Sequence, residues 1–500
     1  MANNKLSSLL GQTAIYGLSS IIGRFLNYLL VPLYTYKISA ASGGYGIVTN
    51  LYGYTALLLV ILTFGMETTF FRFSNKDGVN PDKAFSTSGL AVGVVSLIFV
   101  ALVSLFLHPI SNALNYAGHP EYVEIMAIIV AFDAFQAILF SRLRYENKAI
   151  KFAALKLLFI FVSIGLNLFI FLVAPGLKES CPSLMGWYDV EYQVGYIFII
   201  NLICTISITF GFIPEIKKLR FGIDRNLLKQ MLRYTWPLLL LGLAGILNQV
   251  ADKICYRFIV PGKEGEVQLG IYGACVKIAM IMAMITQAFR YAYEPFVFGG
   301  KKDADGKETQ AQVMKYFVMF TLFAFLAVVA FMPLLKYIIK SDYWEGLVVV
   351  PIVMMAEIFM GIYFNLSFWY KLIDQTWWGA IFSAIGCAVL LAINFIFVPR
   401  YGYMACAWGG FAGYGICMVL SYFVGQKKAP IPYDMKGILG YFALALILFA
   451  VSRMLHFESE IFTMCVNIFL LLVYLGVMLY CERELVRSIA GSLKRKALKK

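Results

Sequence analysis

Charge is scarce in this 500-residue chain. Only 14% of its residues are Asp, Glu, Lys or Arg, whereas about a quarter of the residues in soluble domains are charged. Hydrophobic residues make up 61% of the chain, and its mean hydropathy is +0.77. This composition excludes a soluble globular enzyme and predicts an integral membrane protein.

Histidine and paired cysteine are also lacking. The three histidines (His108, His119 and His456) are far apart in sequence, and the nine cysteines include no C-x-x-C pair. Eight of the nine lie within or at the edge of apolar stretches, which leaves Cys181 alone in a polar connection. A disulfide framework or a zinc site needs several such residues at characteristic spacings. We therefore predict no metal site, no histidine catalysis and no bound cofactor.

What the chain does contain is a series of apolar stretches long enough to cross a bilayer, which takes about 20 residues each. They fill it almost end to end and predict an all-α polytopic membrane protein with about 14 transmembrane helices. The predicted spans are 12–36, 46–68, 86–107, 123–143, 152–173, 195–215, 235–258, 269–292, 314–335, 347–369, 377–398, 403–424, 437–455 and 461–481.

The basic residues are distributed unevenly over the connections. Of the 42 lysines and arginines, 29 lie on one set of alternate connections and at most eight on the other set. The positive-inside rule then places both termini in the cytoplasm. Because this segregation accounts for the net charge of +14, nucleic acid is not a predicted partner. We expect the first span to be a retained helix and not a cleaved signal peptide.

Weak internal similarity indicates two repeated halves. A shift of 222 residues aligns the first span with the seventh, and a shift of 227 aligns Tyr45 with Tyr272 and Glu67 with Glu294. Transporters are commonly built from such repeats. We predict a two-lobed 6+6 bundle with two added helices. The predicted parts are an N-terminal lobe (1–216), a basic cytoplasmic linker (217–233), a C-terminal lobe (234–425), extra helices (437–481) and a basic cytoplasmic tail (482–500).

Several charged residues interrupt the spans near their middles. Facing lipid, each would cost about 2.5–3.5 kcal/mol even on the lenient insertion scale, so four of them would cost roughly 10 kcal/mol. They must therefore face other helices or a watery cavity. The candidate cavity residues are Arg24, Asn27, Lys253, Lys277 and Arg290, and the candidate coupling or charge-tuning carboxylates are Asp133, Asp252, Glu357, Glu67 and Glu294.

Two explanations remain open for each of these charges. One is structural pairing between helices, for example Arg24 with Asp133, or Asp252 with Lys253 or Lys277. The other is contact with a substrate in a solvated central cavity, which we favour for the set as a whole. A basic cavity would attract phosphate or another anion, because arginine and lysine both donate to phosphate oxygens. The carboxylates would then hold coupling ions or tune the cations.

Short motifs near the N-terminus resemble those of the polysaccharide biosynthesis (Wzx-type) flippases, which belong to the MOP superfamily with the MATE drug exporters and the MurJ lipid II flippases. The resemblance continues more loosely near Asp252 and Glu294. Family members often carry an arginine where this chain has Tyr36, so no role is transferred to that position. The N-terminal motifs are Phe25-Leu26, Val31-Pro32-Leu33-Tyr34-Thr35, Gly44-Tyr45-Gly46, Gly65-Met66-Glu67 and Phe71-Arg72-Phe73.

The resemblance implies a MATE-like fold and a non-enzymatic flippase in the bacterial cytoplasmic membrane. Its substrate would be an undecaprenyl-pyrophosphate-linked oligosaccharide, an O-antigen or capsular or exopolysaccharide repeat unit, moved by alternating access. Membrane lipids and a polysaccharide polymerase or glycosyltransferase are the implied partners.

Three alternatives remain. They are a cation-coupled multidrug exporter, a lipid II flippase and a membrane-embedded polymerase or glycosyltransferase. The last is disfavoured because the longest external connection, 174–194, is too short for a catalytic domain.

Overall fold

The chain folds into helices that run back and forth through a membrane-sized bundle. The computed structural model describes residues 26, 28–183, 185–220, 222–299, 304–373, 375–455, 457 and 459–483, with the backbone alone at 291, 292, 294–299, 304 and 305. Thirteen helices in these ranges are long and apolar enough to cross a membrane. The predicted first span lies mostly outside the described residues, and the short helix Leu30–Lys37 is its described end.

We number these thirteen helices in chain order. They are α1 (Gly44–Thr63), α2 (Pro81–Leu105), α3 (Pro120–Tyr145), α4 (Ala149–Leu168), α5 (Gln193–Phe210), α6 (Arg225–Ile259), α7 (Lys263–Gly299), α8 (Ala304–Ala330), α9 (Val349–Leu366), α10 (Trp377–Tyr401), α11 (Tyr403–Lys428), α12 (Met435–Met454) and α13 (Glu460–Cys481). The predicted all-α polytopic fold is confirmed.

Helix α6 begins earlier than its apolar stretch. The Asp224 side chain accepts hydrogen bonds from the backbone N–H groups of Asn226 and Leu227, at 3.1 and 3.0 Å. Such a cap satisfies donors that the first turn leaves unpaired. The helix therefore starts at Arg225, and residues 225–233 of the predicted linker are helical and continuous with the following span.

The predicted span 46–68 is broken near its end. Helix α1 stops at Thr63, because Phe64 (φ 50°) and Gly65 (φ 68°) both adopt the left-handed conformation. A new helix, Met66–Ser74, follows the break. The Phe64 carbonyl that the break leaves without a helical donor accepts a hydrogen bond from the Thr235 hydroxyl of α6 at 2.7 Å. A side chain from the second half of the chain thus satisfies a backbone hydrogen-bond acceptor of the first half.

Helices α1 and α7 approach each other closely through glycine. A Cβ atom on Gly46 would lie 1.9 Å from the carbonyl oxygen of Glu266, and one on Gly270 would lie 3.0 Å from the Gly46 nitrogen. Only glycine allows backbones this close. Helix α1 also packs on α6, so it joins the first half of the chain to the second and forms one wall of the space between them.

The last two helices pack on the outside of α8. The Tyr474 hydroxyl of α13 donates to the Met319 carbonyl at 3.1 Å, and Lys315 of α8 pairs with Asp434 and Glu482 at 3.1 and 2.5 Å. Helices α12 and α13 therefore do not line the space next to α1.

Candidate functional site

A cavity of about 590 Å³, here called the central cavity, lies between the two halves of the chain. Ligand pockets typically enclose about 300–1,000 Å³, so its size suits a substrate. One wall comes from the helix Leu30–Lys37 and from α1, and the other from α6, α7, α9 and α11. Its polar lining residues are Tyr34, Tyr45, Thr49, Tyr52, Gln249, Lys253, Lys277, Thr286, Gln287, Arg290, Glu357 and Tyr414.

Lys253 is held by its neighbour in sequence. Its ammonium donates to the two carboxylate oxygens of Asp252 at 3.0 and 3.1 Å and to the Gln249 carbonyl at 2.9 Å. Asp252 also accepts a hydrogen bond of 2.8 Å from the Tyr272 hydroxyl. The carboxylate is buried, whereas Lys253 faces the cavity. Asp252 thus acts as a charge partner inside the protein, which is the structural pairing that the sequence left open.

Lys277 and Glu357 face the cavity with no hydrogen-bonded ion pair among the described residues, although Lys253 interacts electrostatically with both. Within the described part of the chain, no carboxylate lies within 4.0 Å of the Lys277 ammonium, and no hydrogen-bond donor approaches the Glu357 carboxylate. Both side chains are only partly shielded and both line the cavity wall. A charge in this position needs water or a ligand to replace the solvation that the bilayer removes.

Arg290 lies further along α7 on the same wall of the cavity. Its guanidinium lies over the Phe364 ring, with 4.6 Å between the guanidinium carbon and the ring centre. This contact orients the planar head group beside the cavity. Lys277, Met280 and Gln287, which lie on the same helix, also line the cavity.

Two predicted carboxylates lie elsewhere. Asp133 lies on α3 within the N-terminal half, where it interacts electrostatically with Lys156 of α4. Glu67 pairs with Arg144 at 3.1 Å, and both side chains are more than one-third exposed. Neither carboxylate lines the central cavity.

Three predicted site residues cannot be placed. Arg24 and Asn27 lie outside the described residues, and of Glu294 only the backbone, within α7, is described. In the described ranges, no group of three or more His, Cys, Asp or Glu side chains could hold a metal ion.

The sequence analysis missed a second cavity of about 310 Å³, here called the side cavity, which adjoins the first. Apart from Lys277, its polar residues are tyrosines, amides and a serine, which are uncharged and common in membrane helices. Asn167 and Asn201, each within an apolar span, were the available signal. The residues that line the side cavity are Leu30, Tyr34, Tyr52, Phe159, Ser163, Asn167, Ile197, Asn201 and Lys277.

The sequence analysis also missed Lys156, because it follows closely on the basic connection that ends at Lys151.

Contacts between the halves flank the central cavity at both ends of α1. At the Gly44 end, Arg257 donates to the Asn115 carbonyl at 3.0 Å and to Glu266 at 2.7 Å. At the Ser74 end, the hydroxyls of Thr69 and Thr235 lie 2.8 Å apart.

Comparisons with known proteins agree with this geometry. The model of the family described as polysaccharide biosynthesis protein matches residues 9–292. No curated protein matches the chain in sequence. Among solved structures, a lipid II flippase MurJ in an inward closed conformation is similar with a TM-score of 0.71 at 17% identity, covering 94% of this chain and 99% of that one.

Multidrug transporters share the fold as well. An inward-facing MATE family transporter of the MOP superfamily is similar with a TM-score of 0.63 at 14% identity, covering 83% of this chain and 94% of that one. The MATE multidrug transporter DinF-BH, in a complex, gives a TM-score of 0.59 at 15% identity, covering 84% and 95%. The chain thus shares the helical fold of these transporters, and because the family match spans more than half of its length, it belongs to the polysaccharide biosynthesis protein family.

Proposed function

We propose that this transporter moves an undecaprenyl-pyrophosphate-linked oligosaccharide, an O-antigen, capsular or exopolysaccharide repeat unit, across the bacterial cytoplasmic membrane. The observation that carries the proposal is Lys277, a cation that faces the central cavity with no carboxylate within 4.0 Å among the described residues. Lys253 and Arg290 line the same cavity. A cationic cavity is suited to a pyrophosphate, whose oxygens accept charge-assisted hydrogen bonds.

The physical problem is the head group. Its charges and hydroxyls would lose their hydration in hydrocarbon, at a cost of several kcal/mol for each polar group. A polar cavity between two halves replaces that hydration, while the lipid tail stays in the bilayer. Alternating access then requires the contacts at the two ends of α1 to open in turn. Arg24 and Asn27 are proposed to contact the head group with the three described cations.

Carboxylates are proposed to couple transport to an ion gradient or to tune the cations. Glu357 is the strongest described candidate, because it faces the cavity and among the described residues receives no hydrogen bond. Asp133 is the second, through its interaction with Lys156 in the N-terminal half. Asp252, Glu67 and Glu294 are proposed only to adjust the charge of nearby groups.

We further propose that residues 1–216 and 234–425 form the two moving lobes, joined by the basic segment 217–233. Residues 437–481 would be accessory helices. Both termini, including the basic tail 482–500, would lie in the cytoplasm, because the connections rich in lysine and arginine are retained there. Membrane lipids and a polysaccharide polymerase or glycosyltransferase are the proposed partners.

Lipid analysis of a deletion strain tests the proposal. We expect undecaprenyl-pyrophosphate-linked oligosaccharide to accumulate and surface glycan to disappear, with both reversed by the wild-type gene. Accumulation of lipid II instead would identify a lipid II flippase. Unchanged lipids together with greater sensitivity to cationic drugs would identify a multidrug exporter, which the cationic side chains of the cavity disfavour.

A further inference from the structure

The side cavity is an extension of the central cavity into the N-terminal half. Tyr34, Tyr52 and Lys277 line both cavities, so a ligand in one is in reach of the other. The side cavity extends into the N-terminal half, between α4 and α5. Its volume of about 310 Å³ equals that of about ten water molecules at roughly 30 Å³ each. Part of a head group would therefore fit there.

The two cavities differ in chemistry. Lysine, arginine and glutamate side chains line the central cavity. In the side cavity, Lys277 at the boundary is the one charged lining residue among those described. The other polar groups there are two amides, two phenols and a hydroxyl. A phosphate would favour more cations and a metal ion more carboxylates, so neither is the best occupant.

The amides are held in fixed orientations. Asn167 accepts a hydrogen bond from the Tyr34 hydroxyl at 2.9 Å and donates to the Ser163 carbonyl at 2.8 Å. Asn201 donates to the Tyr52 hydroxyl at 2.8 Å and receives a long bond of 3.4 Å from Thr205. These contacts position both amides before any ligand arrives.

Hydrogen-bonding capacity remains after these contacts. An asparagine side chain offers two N–H donors and two acceptor lone pairs. The contacts among the described residues use two of these four positions at Asn201 and three at Asn167. The Tyr34 and Tyr52 oxygens can accept further bonds as well. Sugar hydroxyls both donate and accept, and the C–H faces of sugar rings pack on aromatic rings, whose faces are electron-rich.

We propose that the side cavity binds the first sugar of the lipid-linked substrate, while the pyrophosphate stays with the cations of the central cavity. Lys277 marks the boundary between the two subsites. This inference rests on the proposed function and deepens it, because it assigns sugar recognition to Asn167, Asn201, Tyr34 and Tyr52.

A binding measurement with two lipids tests the inference. The full-length protein in nanodiscs is titrated with undecaprenyl pyrophosphate, which has no sugar, and with the saccharide-linked lipid extracted from the deletion strain. We expect the wild-type protein to bind the saccharide-linked lipid at least about tenfold more tightly, as one or two buried hydrogen bonds can provide. Asn201→Ala should lower this ratio about tenfold, and Tyr52→Phe, which keeps the ring and is the milder change for folding, should lower it as well. Lys277→Met should weaken the binding of both lipids.

Asn467→Ala is the matched control, because Asn467 is a buried amide on α13 that lines neither cavity. It should leave the ratio unchanged. If Tyr52→Phe and Asn201→Ala weakened the binding of both lipids equally, the inference would be overturned and these residues would have a purely structural role. A wild-type protein that flips the saccharide-linked lipid but binds both lipids equally would also overturn it, with the proposed function intact. If the wild-type protein bound neither lipid, the proposed function itself would fail.

Discussion

The two lysines of the central cavity differ in pairing, because among the described residues Lys253 pairs with Asp252 and Lys277 pairs with no carboxylate. Lys277→Met keeps the length of the side chain and removes a charge that pairs with no carboxylate in the described part of the chain. We expect protein levels near normal and glycan export reduced about tenfold or more, because hydrogen bonds to charged groups contribute about 1.5–3 kcal/mol. Surface glycan staining and immunoblotting measure the two quantities. Normal export in Lys277→Met would remove this residue from the substrate site.

Lys253→Met should behave differently. It leaves the buried Asp252 carboxylate without its cation, and breaking such a pair costs about 3–5 kcal/mol. We therefore expect the protein level to fall together with export. The double variant Asp252→Asn/Lys253→Met removes both charges and should restore the level without restoring export. A stable single variant would show that Tyr272 and the backbone N–H of residue 253 are enough to satisfy Asp252.

Arg24 lies outside the described residues, so its role rests on the sequence. It lies about eleven residues from either end of the predicted span 12–36, too far to reach an interface easily. We expect Arg24→Ala to abolish surface glycan export while the protein level in membranes stays near normal. Loss of the protein itself would support structural pairing with a carboxylate instead.

Sequence reasoning found most of the residues that carry charge in the membrane, because they interrupt apolar runs, but it missed Lys156. It did not find which charges pair. Asp252 and Lys253 are adjacent in sequence, and only the helix geometry shows that one turns inward while the other faces a cavity. Uncharged residues were harder still, since Asn167 and Asn201 become notable only when Tyr34 and Tyr52 are seen beside them.

At the scale of helices, the crossing of α1 and α7 depends on the absence of a side chain. Gly46→Ala would place a Cβ atom 1.9 Å from the Glu266 carbonyl oxygen, a backbone atom that cannot rotate away. Overpacking of this kind costs about 1–3 kcal/mol, so the variant should melt at a lower temperature in detergent. Gly165→Ala in α4 is the control, because no atom lies within 4 Å of its added Cβ and alanine favours helix. Equal melting temperatures for the two variants would contradict this packing.

The segment that connects the halves is fixed to the first half by an acidic side chain. Glu146, just after α3, accepts hydrogen bonds from Arg142 at 2.7 Å and from Lys218 of the connecting segment at 2.9 Å. Partial burial alone would raise the pKa of Glu146, but its bonds with Lys148, Lys218 and Arg142 outweigh that effect and lower the pKa from 4.5 to about 2. Ionised Glu146 therefore stabilises the folded state.

The sign of the pH dependence follows from this lowered pKa. The stabilisation is fully present above the unfolded value of about 4.5 and is lost as the pH falls through about 2. Glu146→Gln should lower the free energy of unfolding at pH 7 by about 1–3 kcal/mol, and with it the melting temperature. Its difference from the wild type should stay constant from about pH 8 to 5 and shrink below about pH 4. Glu308→Gln, at an exposed position of α8, should show no such trend. A difference that does not change with pH would rule out the ion-pair explanation.

The helices also show where apolar patterns fall short. The order of the thirteen described spans follows from hydropathy, since only long apolar runs can cross a bilayer. The break after Thr63 was not predicted. Gly65 is a residue type that favours helix ends, but nothing in the apolar run indicates that Phe64 before it is left-handed. The break depends on Thr235, more than 170 residues away, to satisfy the freed carbonyl.

At the scale of the whole molecule, the proposed alternating access requires the two halves to separate at each end in turn. The Gly44 end is closed by a buried network, in which the Arg257 guanidinium lies 4.2 Å from the centre of the Tyr116 ring. Asn50 accepts from the Tyr116 hydroxyl at 2.8 Å and donates to the Lys253 carbonyl at 2.7 Å. Opening this end must break the contacts of Arg257 with Asn115 and Tyr116, and the bond from Asn50 to Lys253.

Weakening this network should therefore favour the open state of the Gly44 end. Each 1.4 kcal/mol of lost contact raises the open population about tenfold, and Arg257→Gln removes a charged donor and its ring contact. Spin labels at the exposed positions Ala117 and Glu264, in a background without the nine native cysteines, report the separation across this end in liposomes. We expect the distance distribution to shift to longer values in Arg257→Gln, whereas Arg400→Gln, a change at an exposed arginine at the end of α10, should match the parent.

Because the cavity lies between the halves, the same shift should slow glycan export even though no residue of its wall has changed. An unchanged distribution in Arg257→Gln would show that contacts other than those of Arg257 hold this end closed.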